Sequence, residues 1–497
     1  MLTERPRIVV IGGGASGLIA ARELALAGAE VEVLEGSERL GGRIHGVEVG
    51  GTKVDIGAES FATRGGTVAE LISEIGMADE IVAPSGLGSW VIDGPRAVRL
   101  PAAGTLGIPA TPLSASAVRA LGLAGALRAA IEPLLPRSVG RDADSLAALV
   151  RSRLGFRALD RLVRPVSLGV HSADPARLEV SAVPGLAAAF EKRGSLIAAA
   201  RQLRDSQAAA GGAVAGLRDG MTSLIAGLAN ELSRLEVPVR LGCKVQRIGR
   251  QSSGDGAGAG AASADAPHSA RGKATWRVLG KDDQVLAEAD GIVLAVPEAV
   301  ARRVLGDDAA VGLATDRVEV VALAVHDARL DAAPRGTGAL VARDAVGPGG
   351  SGAADAAPIL AKALTHITAK WPERARAAGA GHHVIRLSYG RAGSAPETVG
   401  LDDDQVRRIA RYDASRILGI DIAADAVVDL VRCTWRMGRP PGSRDARPLS
   451  APAGVTLAGD WVSGTGLAAI VQGARAAASK ALASVAAGDA NARASQH

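Results

Sequence analysis

Residues 7–43, RIVVIGGGASGLIAARELALAGAEVEVLEGSERLGGR, leave few folds open to this chain. Ile8, Val9, Val10 and Ile11 form an apolar, β-branched run with the length of a buried parallel strand. Gly12, Gly14 and Gly17 then make a G-x-G-x-x-G turn. A helical stretch follows, with Leu18, Ala21 and Ala25 on one face, and a second strand over 30–34 ends at Glu35. This order is the βαβ unit of a dinucleotide site. Gly12 permits the tight turn, Gly14 lets the backbone approach a pyrophosphate, and Gly17 lets helix pack closely on strand. The phosphates would sit at the positive end of the helix dipole. Glu35, eighteen residues beyond Gly17, is placed to accept hydrogen bonds from an adenosine ribose.

A chain of 497 residues is too long for one ordinary core, so two or three domains are expected. It is 47% hydrophobic but only 2% aromatic, which suits an α/β protein packed with small residues. The net charge of +5 is small for this length, and no Lys/Arg run interleaved with aromatics points to nucleic acid. Cys243 and Cys433 fit neither a disulfide framework nor a C-x-x-C metal pattern, and read as reduced thiols. The chain enters its first strand directly and has no uncharged stretch long enough to cross a bilayer, so a cytoplasmic location without a leader is expected. Arg119, Arg128 and Glu132 interrupt the Ala/Leu-rich stretch near 115–135, which reads as a surface or substrate-domain helix. Peripheral membrane contact is the alternative there.

The expected fold class is α/β, a split Rossmann-type FAD-binding domain with an α+β substrate domain and a helical subdomain. The FAD-binding part is assigned to 1–85, 213–300 and 425–497, the substrate part to 86–110 and 301–424, and the helical subdomain to 111–212. Residues 89–101 read as a hairpin, and helices are expected over 66–80, 145–154, 156–164, 194–210, 221–234, 402–418 and 468–486. Residues 290–297 and 455–460 read as strands, the first of them buried and parallel. The Gly/Ala/Ser-rich segment 251–272 cannot bury a core and is expected to be a mobile hairpin loop.

Three features favour FAD over a nicotinamide cofactor. In Arg39-Leu40-Gly41-Gly42-Arg43, two glycines allow close passage of a diphosphate and Arg43 can pair with it; a solvated arginine turn is the other reading. Asp460 is read as ending a strand before the last helix, where an acid can hold ribityl hydroxyls and the helix N-terminus can face the flavin N1/O2 edge. Asp460 or Ser463 as a plain N-cap is compatible with that. No second G-x-G-x-x-G stands between a strand and a helix, so electrons are expected to enter from an organic substrate.

Several motifs resemble those of the FAD-dependent porphyrinogen oxidases, within the wider flavin amine oxidase superfamily. They are VDIGAESFATR (54–64), RLVRPVSLGVHSADPARLEV (161–180), the GSL and LRDGMTSLIAGLANEL segments within 194–232, AKWP (369–372) with VIRLSYGR downstream, and GTGLAAIVQGARAA (464–477). The resemblance spans nearly the whole chain. It implies that Gly12, Gly13, Gly14, Ala15, Ser16 and Gly17 hold the diphosphate. Glu35 and Gly36 would bind the ribose, Arg43 the phosphates, and the Val245 backbone the adenine. Gly57, Ala58, Glu59 and Ser60 would line the flavin ring, which Trp371 borders. Thr465, Gly466 and Leu467 would approach its pyrimidine end. His171 stands where the family has Tyr, and WRMGRPPGSRDARPL (435–449) lacks the family's Tyr and Gly-His, on the substrate side.

The implied activity is oxidation of a porphyrinogen in haem biosynthesis, coproporphyrinogen III ahead of protoporphyrinogen IX. Hydride would pass to flavin N5, with molecular oxygen as acceptor and hydrogen peroxide released. Arg64, Arg96 and Arg99 are candidates for the substrate propionates, or else solvated surface arginines. No acid–base residue is assigned. His382-His383 reads as an exposed loop pair rather than a metal site, and no metal is expected. A flavin amine oxidase and a non-catalytic flavoprotein are the competing readings.

Overall fold

The computed structural model describes residues 5–93, 96–100, 105–171, 174–183, 185–208, 214–251, 275–307, 317–342, 357–391, 394–437 and 449–494. Five strands drawn from the start, middle and end of the chain form one parallel sheet. In spatial order they are Val239–Arg240, Glu30–Leu34, Arg7–Ile11, Gly291–Leu294 and Val455–Leu457. The period of two divides the first strand between two cores. Ile8 and Val10 meet the helices Ala15–Leu26, Thr222–Arg234 and Leu467–Ala494 through Leu18, Leu228 and Val471. Val9 and Ile11 meet Trp276 and Val278 from a three-stranded antiparallel sheet on the opposite face. Burial on both faces explains why these strands read as continuous apolar runs.

In the small sheet, Arg247–Gln251 pairs antiparallel with Thr275–Leu279, Gln251 opposite Thr275. The expected mobile loop connects these two strands and, beyond Gln251, lies outside the described residues.

A seven-stranded sheet runs Val427–Arg436, Arg317–His326, His382–Tyr389, Ala363–His366, Gly338–Val341, Trp90–Asp93 and Arg96–Arg99. The last two are the expected hairpin, at the outer edge. One face carries Leu323, Ile385 and Leu387 against the helix Asp403–Leu418. Asp402 caps that helix through the Gln405 amide, at 2.7 Å, and Gly419 ends it in the left-handed region. The opposite face carries Val320, Ala322 and Val384 against Val49, Val54 and Trp371. It therefore turns toward the nucleotide half.

The segment 111–208 is helical around a fully buried ion pair. Arg153 Nε donates to Glu132 Oε1 at 2.7 Å, and Ser195 Oγ and the Leu196 amide also donate to that carboxylate. Arg153 further donates to the carbonyls of Pro136 and Gly194. Such a pair is tolerated because its hydrogen-bonding groups are met.

Three expectations are corrected. Residues 427–436, assigned to the FAD-binding part, form an edge strand of the large sheet; tertiary pairing with Arg317–His326 decides this. His382 and His383 lie in a strand, not a loop, and His383 is buried with its ring 3.0 Å from the His366 ring. Asp460 does not end a strand: the strand stops at Leu457, and Asp460 opens the one-turn helix Asp460–Ser463 ahead of the last helix.

Candidate cofactor and substrate sites

The glycine loop shows two different demands for glycine. At Gly17 an added Cβ would fall 1.8 Å from the Gly12 carbonyl oxygen, so the chain's own backbone excludes a side chain. At Gly14 the backbone is extended, and an added Cβ would meet nothing nearer than the Gly42 Cα at 4.0 Å. The protein leaves that space open, as a group lying against the loop requires. No side chain caps the first helix, so its first-turn amides stay available to an anion. The Ser16 hydroxyl there is buried and has no hydrogen-bond partner among the described residues. An open cradle, free helix amides and an orphaned hydroxyl fit a diphosphate.

The second strand delivers Glu35 to the same loop. Its carboxylate accepts from the Gly13 amide at 2.6 Å and from the Ser37 amide and hydroxyl at 2.8 and 2.7 Å. The next turn folds back on the glycine loop, the Gly41 amide donating to the Gly13 carbonyl at 2.8 Å. Arg39 wraps this turn through the carbonyls of Leu40 and Gly42. The Cys243 amide donates to the Glu35 carbonyl and Gly36 lies against Lys244, and the next residue, Val245, is buried.

Arg43 Nη2 stands 2.5 Å from Asp460 Oδ2. Two residues far apart in the chain, one expected at the phosphates and the other at the ribityl hydroxyls, are thus paired, and Asp460 is buried. Beyond the Asp460 turn, Thr465 and Gly466 lead into the last helix at Leu467. Ser463 packs against Gly473 of that helix so closely that a Cβ on Gly473 would fall 2.3 Å from the Ser463 Cβ.

The segment 55–60 is held from both sides. The Ala58 amide donates to the Arg43 carbonyl at 3.1 Å, and a Cβ on Gly57 would meet that oxygen at 1.9 Å. From the large sheet, Arg386 Nη1 donates to the carbonyls of Asp55 and Gly57, each at 3.0 Å. Its Nη2 lies 3.1 Å from Glu59 Oε2, and Lys370 Nζ donates to Glu59 Oε1. Burial pushes the Glu59 carboxyl up, but Arg386 and Lys370 outweigh it and hold it below the ordinary range. Asp55 behaves oppositely: burial lifts it to about 6, although it accepts from the Met221 amide at 2.9 Å. The buried Trp371 ring lies against Gly216, with Lys370 Nζ 5.2 Å from its centroid. Trp435 Nε1 donates to the Ile56 carbonyl at 3.3 Å. Ala58 is exposed and Ser60 half-buried, beside this cluster.

The three candidate substrate arginines are not brought together in one pocket. Arg96 and Arg99 line a pocket between the edge hairpin and the helical segment, with Arg119 and Arg161. Arg64 lies on the turn between Phe61–Ala62 and Thr67–Glu74 and does not line it. Sequence reasoning missed Lys370, Arg386, Arg119 and Arg161 as site residues. Lys370, Arg386 and Arg161 stand inside motifs that carried the resemblance, whereas no local pattern marks Arg119. The altered segment after Trp435 lies outside the described residues over 438–448. Cys243 and Cys433 are both free. Among the described residues, no cluster of His, Cys, Asp or Glu could hold a metal ion, and no helix is long and apolar enough to cross a membrane.

Comparison with known proteins gives the family. The family described as flavin containing amine oxidoreductase matches residues 15–481. A coproporphyrinogen III oxidase of Mycobacterium bovis is 30% identical, over 93% of this chain and 94% of its own. One from Bacillus subtilis is 24% identical over 97% and 99%. A crystal structure from Exiguobacterium sp. 255-15, provisionally described as a protoporphyrinogen oxidase, superposes with a TM-score of 0.75 at 22% identity, covering 96% and 98% of the two chains. The chain belongs to the flavin containing amine oxidoreductase family and is an FAD-dependent oxidoreductase.

Proposed function

We propose that this enzyme oxidises a porphyrinogen to the porphyrin in haem biosynthesis, with coproporphyrinogen III as the favoured substrate and protoporphyrinogen IX next. The observation that carries this reading is the near full-length similarity, at 30% identity, to a coproporphyrinogen III oxidase. The chemistry that bound FAD supplies is acceptance of a hydride at N5, with molecular oxygen as the final acceptor and hydrogen peroxide as by-product.

The chain's own residues bind and orient. Gly12 to Gly17 hold the diphosphate on the first helix, Glu35 and Gly36 the ribose, and the Val245 backbone the adenine. The Arg43–Asp460 pair closes over the phosphate and ribityl stretch. Gly57 to Ser60, with Trp371, border the flavin ring, and Thr465 to Leu467 present the last helix to its pyrimidine end. Arg64, Arg96 and Arg99 are proposed for substrate carboxylates. In this reading the parallel sheet with its helices is the split Rossmann-type FAD-binding part. The seven-stranded sheet is the substrate part, and 111–212 is the helical subdomain.

The test is aerobic incubation of the purified yellow protein with coproporphyrinogen III, protoporphyrinogen IX and a panel of amines. Porphyrin fluorescence with stoichiometric peroxide is the expected outcome. Peroxide formed from an amine alone would replace this reading with an amine oxidase.

A further inference from the structure

His383 reaches the two residues that open the turn carrying Lys370 and Trp371. His366 is the register partner of Ile385, so it shares the sheet face that Ile385 presents under the helix Asp403–Leu418. His383, two residues before Ile385 on the same strand, lies on that face too. The one-turn helix Ile367–Lys370, entered through His366, crosses to the opposite face, where Ile367 and Trp371 join Val384. Its far end delivers Lys370 to Glu59, and the Ser85 amide donates to the Lys370 carbonyl. Its near end is held by His383, whose Nδ1 lies 3.0 Å from His366 Nε2 and 3.2 Å from Thr368 Oγ1. All three side chains are buried.

The contacts fix where the protons sit. A bare His383 Nδ1 accepts from His366 Nε2–H and from the Thr368 hydroxyl. The His383 proton is then on Nε2, 3.2 Å from Asp331 Oδ1, though not aligned as a hydrogen bond. His366 Nδ1 is left bare, in agreement with its having no hydrogen-bond partner among the described residues. A proton added at His383 Nδ1 undoes this arrangement. Thr368 can turn to accept it, but His366 then faces it with a second N–H at 3.0 Å. Relief requires that the rings part, or that His366 move its proton to Nδ1, where a buried N–H finds no acceptor. Orphaned buried N–H groups are rarer in folded proteins than orphaned acceptors. Burial keeps both rings below the ordinary histidine range, His366 at about 3. Asp331 and Asp327 favour a charged His383, whereas His382 on its own strand disfavours it. Arg329 is paired with Asp327, His326 lies against His382 with centroids 3.9 Å apart, and the helix Pro372–Ala378 contributes a carbonyl, from Ala378, to His382. Histidines freed by opening of the turn regain an ordinary pKa near about 6.5. Each pH unit below that value favours the open turn by up to about tenfold per proton taken up.

We propose that His383 is a positioning residue for the flavin side: through His366 and Thr368 it locks the turn that sets Lys370 and Trp371 against Glu59 and the segment 57–60, and its protonation opens the lock and loosens FAD in acid. That this turn borders the flavin rests on the proposed site assignment, so the test reads turn and cofactor separately. Hydrogen-exchange protection over 367–371, with FAD in excess, and FAD affinity by flavin fluorescence are measured at pH 7.5 and 5.5. Wild type is compared with His383→Asn, His383→Leu and Thr368→Val, and Tm checks folding. Asn offers an amide oxygen where Nδ1 stands but takes up no proton. Wild type should lose protection and about tenfold in FAD affinity on acidification, the loss expected for one proton. His383→Asn should match wild type at pH 7.5 and lose several-fold less in acid. His383→Leu should be unprotected and bind FAD weakly at both pH values. Thr368→Val, which removes one contact and no histidine, should fall between and carries the test if the His383 variants do not fold. A His383→Asn profile parallel to wild type, or full protection over 367–371 in folded His383→Leu or Thr368→Val, overturns the proposal. Protection lost in acid and in His383→Leu while FAD affinity stays unmoved rejects instead the assignment of this turn to the flavin border.

Discussion

At Gly17 a side chain would strike the Gly12 carbonyl, whereas at Gly14 it would enter space that the protein leaves open. Gly17 therefore answers to the fold, and in the proposed reading Gly14 answers to the cofactor. Gly17→Ala should lower the stability of the apoprotein by about 1–3 kcal/mol, the usual range for overpacking. Gly14→Ala should leave apoprotein stability within about 0.5 kcal/mol, the range for substitutions that disturb no packing, yet weaken FAD at least tenfold. Urea unfolding of the apoprotein and titration of flavin fluorescence separate the two effects. Equal stability losses in both variants would show that Gly14 serves the fold as well.

Among single elements, the helix Asp403–Leu418 carries a buried acid with a testable sign. Asp413 accepts from the Ala361 and Leu360 amides at 2.8 and 3.3 Å, docking the helix to the strand-leading chain beside it. Burial lifts its carboxyl to about 6. In the unfolded chain it titrates near about 3.9. Between those values the folded state keeps a proton that the unfolded state has released. Its contribution to stability is thus fully present below about pH 4 and is lost as pH rises to about 6. Asp413→Asn should reduce the fall in apoprotein stability across pH 4–6 by about 1 kcal/mol per pH unit. Asp55, also lifted to about 6, should retain its own share of the slope in that variant. Denaturant midpoints at pH 4.5, 5.5 and 6.5 give the comparison, and parallel profiles for variant and wild type would discard this assignment.

Across the whole molecule, Arg386 links the large sheet to the segment 55–60. It shares a sheet face with Val384, whereas Ile385 and Leu387 face the core under the helix Asp403–Leu418. A charge on an apolar strand points through the sheet's second face to two carbonyls and Glu59. Arg386→Met should destabilise the enzyme by about 3 kcal/mol, as when one partner of a buried ion pair is removed. It should also loosen FAD at least tenfold, with partial recovery in Arg386→Lys. Flavin release measured by fluorescence reports this, and retention of FAD in Arg386→Met would mean that the segment holds its shape without the sheet.

Residues 7–43 determined much of this protein without tertiary information. A buried strand alternates its residues between two cores, the glycine turn that follows leaves open space at Gly14, and both signals lie within one βαβ unit. The edge hairpin and the capped helix Asp403–Leu418 were legible for the same reason, since turn chemistry and periodicity act over a few residues. Only the tertiary structure decided the rest. The strand Val427–Arg436 gains its place by pairing with residues about a hundred positions earlier, and the short strand Ala363–His366 has too few residues to show a period. Arg43 meets Asp460 across most of the chain, and Lys370 and Arg386 meet Glu59 from elements more than 300 residues away. Charge pairing depends on distance in space and not on separation in sequence, so the opening segment could announce the cofactor while the substrate side waited for the fold.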